Sequence, residues 1–242
     1  MLITCKNKDI MKKILLLIAL IIMVNVSVLP ANERVAGYSG KMPVLFINTL
    51  DGKDIVSKDS YVNATFYIQS NGVPGYSDMG SASMPIDMRI RGRGNYTWND
   101  FEKKPYRVKL NMGISVLGLN KSKNFVLLAA TDDDLGFLRV PVGFELSKIF
   151  EMKYTPAYVP VELVINGDYR GLYFFTEHIR VDSERVDINK QLDNQTDPNL
   201  VTGGWLIEID NYDSNEQVVI TEGNGEKLRF TYHTPEILST VQ

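Results

Sequence analysis

Apolar and polar residues alternate with a period of two along most of the chain, the signature of half-buried β-strands. In "MPIDMRIRGRG" Ile86, Met88 and Ile90 alternate with Asp87, Arg89 and Arg91, and in "KPYRVKL" Tyr106, Val108 and Leu110 alternate with Arg107 and Lys109. The polar face of this second strand is therefore cationic. "MPVLFINTLDGKDIVSKDSYVNATFYIQS" reads as two strands around the turn signal Asp51-Gly52, and "NGVPGYSDMGSAS" as a loop. "NFVLLAA" is short enough to be a buried strand. "VPVELVINGDYRGLYFFTEHI" is the strongest local signal, two β-branched and aromatic runs joined at Asn166-Gly167 as a hairpin. "GGWLIEIDNYD" and "KLRFTYHT" add a further pair of strands.

A helical pattern dominates one segment, "DDDLGFLRVPVGFELSKIFE". Asp134 is its candidate cap, Pro141 fits its first turn, and Leu138, Val142, Leu146 and Ile149 form an apolar stripe on which Glu145 also falls. An acid on an inward stripe needs a cationic partner, because an unpaired buried carboxylate is costly. A second helix starts at Thr234-Pro235 and runs into the end of the sequence. The prediction is an α+β fold, a β-rich sheet of about eight strands with one main helix.

Composition adds bounds. The 242 residues carry a net charge of −3, so no overall basic field draws nucleic acid, and any anion site must be local. Residues 11–31 have the layout of a secretory signal peptide: Lys12 and Lys13, an apolar run from Ile14 to Val24, and Ala31 as the small residue before cleavage. The apolar run is short for a membrane anchor, and Met11 is an alternative start. Cys5, the single cysteine, precedes this segment, so the exported chain would lack disulfides, thiolate nucleophiles and Cys-ligated zinc. The domain boundaries predicted are 1–31 for the signal, 32–83 for N-terminal strands and loop, and 84–242 for the main unit.

Candidate chemistry begins at "RGRG". Gly92 and Gly94 beside Lys104 and Lys109 are compatible with a phosphate cradle or with a bulged basic hairpin, and Thr97 stands where a G-x-G-x-x-G loop has its third glycine. Glu208 and Asp210 project from one face of a strand about 7 Å apart, suited to metal or acid–base work or to a plain solvent-facing edge. Asn211, Asp213, Asn215 and Glu222 imitate calcium-loop spacing, but Glu216 replaces the turn glycine. His178 and His233 are the only histidines and neither sits in a nucleophile-elbow context; His178 reads as a hydrogen-bonded rim residue. Trp98 and Trp205 are either sugar- or base-stacking residues or core anchors.

Taken together, "IRGRGNYTW", "KKPYRVKL", "NFVLLAATDDDLGFLR", "TPAYVPVELVINGDYRGLYFFTEHI" and "GGWLIEID", in that order, resemble the CotH kinase family of spore-coat-protein-H-like proteins. The resemblance implies the β-rich small lobe of an atypical protein-kinase-like fold, binding ATP with Mg or Mn and phosphorylating serine of secreted or coat proteins. By position, Arg93, Gly94 and Asn95 match the nucleotide loop, Lys104 or Lys109 the phosphate-binding lysine, Glu145 its helix partner, and Phe175 to Glu177 the hinge beside the adenine. The family's catalytic and metal-binding aspartates belong to motifs not found in this sequence, so catalytic residues are expected beyond Gln242 and this chain is expected to be inactive by itself. Two other readings remain, a secreted β-rich module for glycan or envelope polymer using Tyr96 and Trp98, and a pseudokinase scaffold.

Overall fold

A computed structural model describes residues 42–131, 137–209, 217–221 and 227–235. Seven strands close into a barrel: β1 (Val44–Thr49), β2 (Val62–Gln69), β3 (Ile86–Gly92), β4 (Tyr106–Ile114), β5 (Ser122–Leu128), β6 (Tyr158–Ile165) and β7 (Asp168–Glu177). Their order round the barrel is β1-β2-β3-β4-β5-β7-β6. Every neighbouring pair is antiparallel except the closing one, where β6 lies parallel to β1 with Val44 opposite Glu162. Residue 84 falls between β2 and β3, which are hydrogen-bonded neighbours. Alternation works as the sequence predicts: Phe66, Met88, Ile90, Val108 and Leu110 point inward and are buried. Phe125 and Phe175 stack at 5.0 Å in the middle of that core.

The hairpin at Asn166-Gly167 is as expected, with both residues at positive φ (52° and 80°), which suits a turn matching the strand twist. Asn166 does a second job. Its Oδ1 accepts from the backbone N–H of Thr49 at 2.8 Å, fastening the end of β1 to the β6–β7 turn.

Basic strands β3 and β4 do pair, but through a longer connection than a tight turn. Residues 93–105 hold a short helix, α1 (Tyr96–Asp100), whose Trp98 lies on the backbone of Gly92. A Cβ at Gly92 would come within 2.3 Å of Trp98 Cζ3, so this glycine is a seat for the indole. Trp98 in turn packs against the core and meets Tyr106 edge-on at 6.5 Å.

The main helix, α2 (Arg139–Ile149), starts later than the sequence suggests, and Asp134 lies outside the described residues. Pro141 sits in its first turn as expected. Its apolar stripe, however, does not enter the core: no residue of α2 is buried, and Ile149 is 71% exposed. The closed barrel is filled by its own side chains and leaves no slot for a helix. The helix touches the barrel through Phe144, 5.3 Å from the Tyr158 ring, and is tied to the segment leading into β6 through Ser147, whose hydroxyl lies 2.7 Å from that of Thr155.

Three further strands, β8 (Leu206–Ile209), β9 (Gln217–Thr221) and β10 (Lys227–Thr234), form a separate sheet in the order β8-β10-β9. The β-rich α+β expectation holds, with the strands divided between a barrel and this small sheet rather than one sheet. The signal segment, Asp210 to Glu216 and the residues after Pro235 lie outside the described residues. Among the described residues no helix is long and apolar enough to cross a membrane.

Candidate functional site

Where β7 ends, the chain is held by a buried ion pair. Glu177 Oε1 lies 3.0 Å from Arg185, and the two side chains are 2% and 0% exposed. Glu177 Oε2 also accepts from Tyr154 Oη at 3.3 Å and from the Ala157 N–H at 3.2 Å. Arg185 further reaches Asp182 at 3.2 Å and the Asn120 carbonyl at 3.2 Å. Burial, with Glu177 beside it, pushes the Tyr154 hydroxyl far above the ordinary tyrosine range, so it stays a proton donor.

That anchor presents residues 178–181 as one wall of a cleft of about 550 Å³, a size suited to a small organic ligand. Arg93 and Arg107, from the start of the 93–105 connection and from β4, form a second wall. Glu208 and His233 of β8 and β10 form the third, with Asn124 and Val126 of β5 also lining it. The small sheet thus turns an outer barrel face into a concavity. A larger hollow of about 640 Å³ within residues 187–204 gathers, among the described residues, Lys190 and Asp187 as its charges, one of each sign.

The cleft is electropositive. Among the described residues, Arg93, Arg107, Arg180 and Lys190 line it with one carboxylate, that of Glu208, which lies 2.6 Å from His233 Nε2, while Arg180 also pairs with Asp182 beside the cleft. The bond from His233, with His233 and Arg93 as neighbouring charges, overcomes burial and holds the Glu208 carboxyl below its usual range. Burial lowers the Arg93 pKa, opposed by Glu208 and aided by Arg107. His178 is pushed down to about 3, first by burial and then by Arg107, Arg93, His233 and Arg180, so its imidazole is neutral near pH 7. Its Nδ1 and the Nε of Arg180 are buried with no hydrogen-bond partner. Two orphaned nitrogens in one cationic cleft are what a bound oxyanion would satisfy.

The seven site residues suggested by the sequence do not converge. Arg93 lines the cleft. Gly94, at φ 83°, and Asn95 are engaged by Lys58, whose Nζ donates to Asn95 Oδ1 at 2.7 Å. Lys104 donates to the Trp98 carbonyl at 2.6 Å and so braces α1. Lys109 sits on the outer barrel face, 5.9 Å from the Tyr61 ring. Glu145, expected inward, pairs with Lys148 at 2.7 Å on the exposed side of α2, because that helix has no buried face. Glu177 holds Arg185. Trp205 packs on Tyr232 at 5.5 Å.

Sequence reasoning missed Arg107, Arg180 and Arg185. The outward parity of "YRVKL" gave a signal for Arg107, whereas Arg180 and Arg185 follow β7 without any periodic pattern. His178, expected as a hydrogen-bonded rim residue, has its Nδ1 buried and unbonded instead. Lys103 and Lys104 of "KKPYR" are both half-buried, and it is Lys103 that turns to the barrel: its Nζ donates to Ala129 O at 2.9 Å and to Leu172 O, and lies 4.6 Å from the Tyr173 ring. Burial lowers its pKa to about 8, partly offset by Glu162.

The sequence model of the CotH kinase protein family matches residues 89–235, which run from the middle of β3 through β10 and take in every residue lining the cleft. No curated protein matches the chain.

Proposed function

Since the chain belongs to the CotH kinase family, we propose that it is the nucleotide-binding part of an exported ATP-dependent serine kinase, with the nucleotide phosphates in the cleft beneath β8 and β10. The supporting observation is the convergence of Arg93, Arg107 and Arg180 on a cleft that also holds the unbonded nitrogens of Arg180 and His178. Guanidinium groups match phosphate oxygens in pairs and keep their charge at any working pH.

ATP would supply the transferable phosphoryl group. The residues' own tasks are simpler: Arg180 and Arg93 would hold phosphate oxygens, and His178, neutral in the free protein, would donate a hydrogen bond or take a proton beside the anion. The apolar side chains of Ile179, Val181 and Leu206 narrow the water around them. Among the described residues no group of three or more His, Cys, Asp or Glu side chains gathers as a metal site, so the proposal takes no step through a divalent ion. The aspartate motifs of the family are not found in the sequence, and the proposal is that this chain binds nucleotide without transferring phosphate. Export through residues 11–31 belongs to the same proposal. The glycan-module reading has less to stand on, since Trp98 is spent on Gly92 and the core.

Calorimetric titration of ATP tests this. Arg180→Ala removes a charge-assisted contact of about 1.5–3 kcal/mol, equivalent to roughly a 10- to 100-fold loss of affinity. Unchanged affinity would overturn the placement. Lys104→Ala separates two locations: affinity is expected to stay within about threefold of the parent if the cleft holds the phosphates. A loss matching that of Arg180→Ala would put them at the 93–105 connection instead.

A further inference from the structure

The barrel face turned away from the cleft carries a small apolar cluster of its own. In the strand order β1, β2 and β6 lie across the barrel from β4 and β5. Leu45, Ile47, Leu163 and Ile165 of these strands enter the core, so by parity Val44, Phe46 and Val164 point outward. Val44 and Val164 are nevertheless buried, with Phe46 packed against them. Phe46 is directly opposite Tyr67 on β2, and the two rings stack nearly parallel at 4.5 Å. With Asn48 and Gln69 they line a hollow of about 490 Å³ beside the β6–β7 turn. Gln69 is opposite Val44, and Asn48 lies two residues beyond Phe46, so the two amides bracket the ring pair about 7 Å to either side of it. Both are exposed, and among the described residues no hydrogen bond engages either side-chain amide or the Tyr67 hydroxyl. Asn166, which also lines the hollow, is already bonded to Thr49. None of the described lining residues carries a charge, and Glu162 in the row of Val44 is buried and accepts from Tyr169 Oη.

We infer that this hollow binds a neutral oligosaccharide, holding the protein to a glycan while the nucleotide cleft stays open on the other side. A pyranose ring has an apolar C–H face and a rim of hydroxyls that each donate and accept. Phe46, Tyr67 and Val164 supply the apolar surface. A primary amide also donates and accepts, so Asn48 and Gln69 can meet a hydroxyl in either sense. An ionised ligand would shed water here without gaining a counter-charge, which excludes the phosphates suited to the cleft. A peptide cannot add as a strand, because β1 and β2 are both interior to the closed barrel. A nucleobase needs a free ring face, whereas Phe46 and Tyr67 spend their facing surfaces on each other and Phe46 also packs on Val164. Phe46, Asn48, Tyr67 and Gln69 all precede residue 89, where the family match begins, so the site stands apart from the kinase reading. It uses neither Tyr96 nor Trp98.

The test is isothermal titration calorimetry with cellotetraose, maltotetraose, mannotetraose and tetra-N-acetylchitotetraose, and with tetragalacturonate as the charged counterpart. At least one of the neutral sugars is expected to bind, and its affinity to fall about tenfold or more in Asn48→Ala/Gln69→Ala, the loss of two uncharged hydrogen bonds. Tyr67→Phe keeps the stacked pair and removes a single hydroxyl, so its loss is expected to be smaller, about threefold. Asn48 and Gln69 are on the surface, and an unchanged melting temperature confirms the fold of the double variant. Binding of none of the neutral sugars, undiminished binding by the double variant, or equally tight binding of tetragalacturonate would overturn the inference. ATP titration of the same proteins keeps the two sites apart: failure to bind ATP strikes the cleft reading, and failure to bind sugar strikes the hollow.

Discussion

Arg185→Ala is expected to lose about 3–5 kcal/mol of folding stability, the usual result of removing one partner from a buried ion pair and leaving the other charge stranded. Glu177 would then keep only the Tyr154 hydroxyl and the Ala157 N–H. The substitution also frees the carbonyl of Asn120 and loosens Asp182, so residues 178–181 would lose the anchor that shapes the cleft. Urea unfolding followed by fluorescence measures it. The companion Arg185→Met/Glu177→Leu, which takes away both charges and keeps the volume apolar, is expected to recover most of the loss. A single-variant loss below about 1 kcal/mol would mean that the pair contributes little and that the hydrogen bonds around it suffice.

Acidification should destabilise the protein well above the pH at which carboxylates titrate. His178 has a folded-state pKa of about 3 against an ordinary value of 6.5, so between these two values the unfolded chain binds a proton that the folded one refuses. Stability therefore rises with pH across that window, with a slope of about 1.4 kcal/mol per pH unit for one such group. This contribution is fully present above pH 6.5 and is lost as pH falls toward 3. Glu208, held below its usual range, adds a loss of the same sign below its unfolded value of 4.5. Between pH 6.5 and about 5 the carboxylates contribute little, and His233, paired with Glu208, is common to both proteins, so the difference between the parent and His178→Asn isolates His178. Melting temperatures across that interval should rise more steeply with pH in the parent than in His178→Asn. Parallel curves would mean that the imidazole titrates normally. A bound oxyanion would reverse the field around His178, so saturating ATP should also flatten the parent's slope.

How much of this was legible in the sequence depends on the range of the interaction. The Asn166-Gly167 hairpin was legible because both residues tolerate the left-handed region and the strands on either side alternate locally. The cationic face of β4 was legible for the same reason, since parity alone puts Arg107 and Lys109 outside. Glu145 was misplaced because the stripe on α2 presumes a core for it to enter. That core is already closed by the parallel pairing of β1 with β6, which leaves no local trace in either segment. The cleft was illegible as a whole. It exists because β8 and β10 cover an outer barrel face, bringing Glu208 and His233 to Arg93 across more than a hundred residues of chain. Gly92 of "RGRG" shows the converse, a glycine suggestive of ligand binding that is explained by an indole resting on it.

The β1–β6 seam also governs the order of events in folding. As the chain leaves the ribosome, β1 emerges early and can pair with β2 at once, but its other edge waits for residues 162–165. Until then both edges of a growing, strongly hydrophobic sheet are open to foreign strands. Closure is a long-range step of high contact order, slower than any hairpin in the molecule. Thr49, reaching the Asn166 side chain only when the last neighbour arrives, is the latch of that step. A chaperone that shields β1 during passage would therefore be acting on the slowest and most aggregation-prone stage of its life.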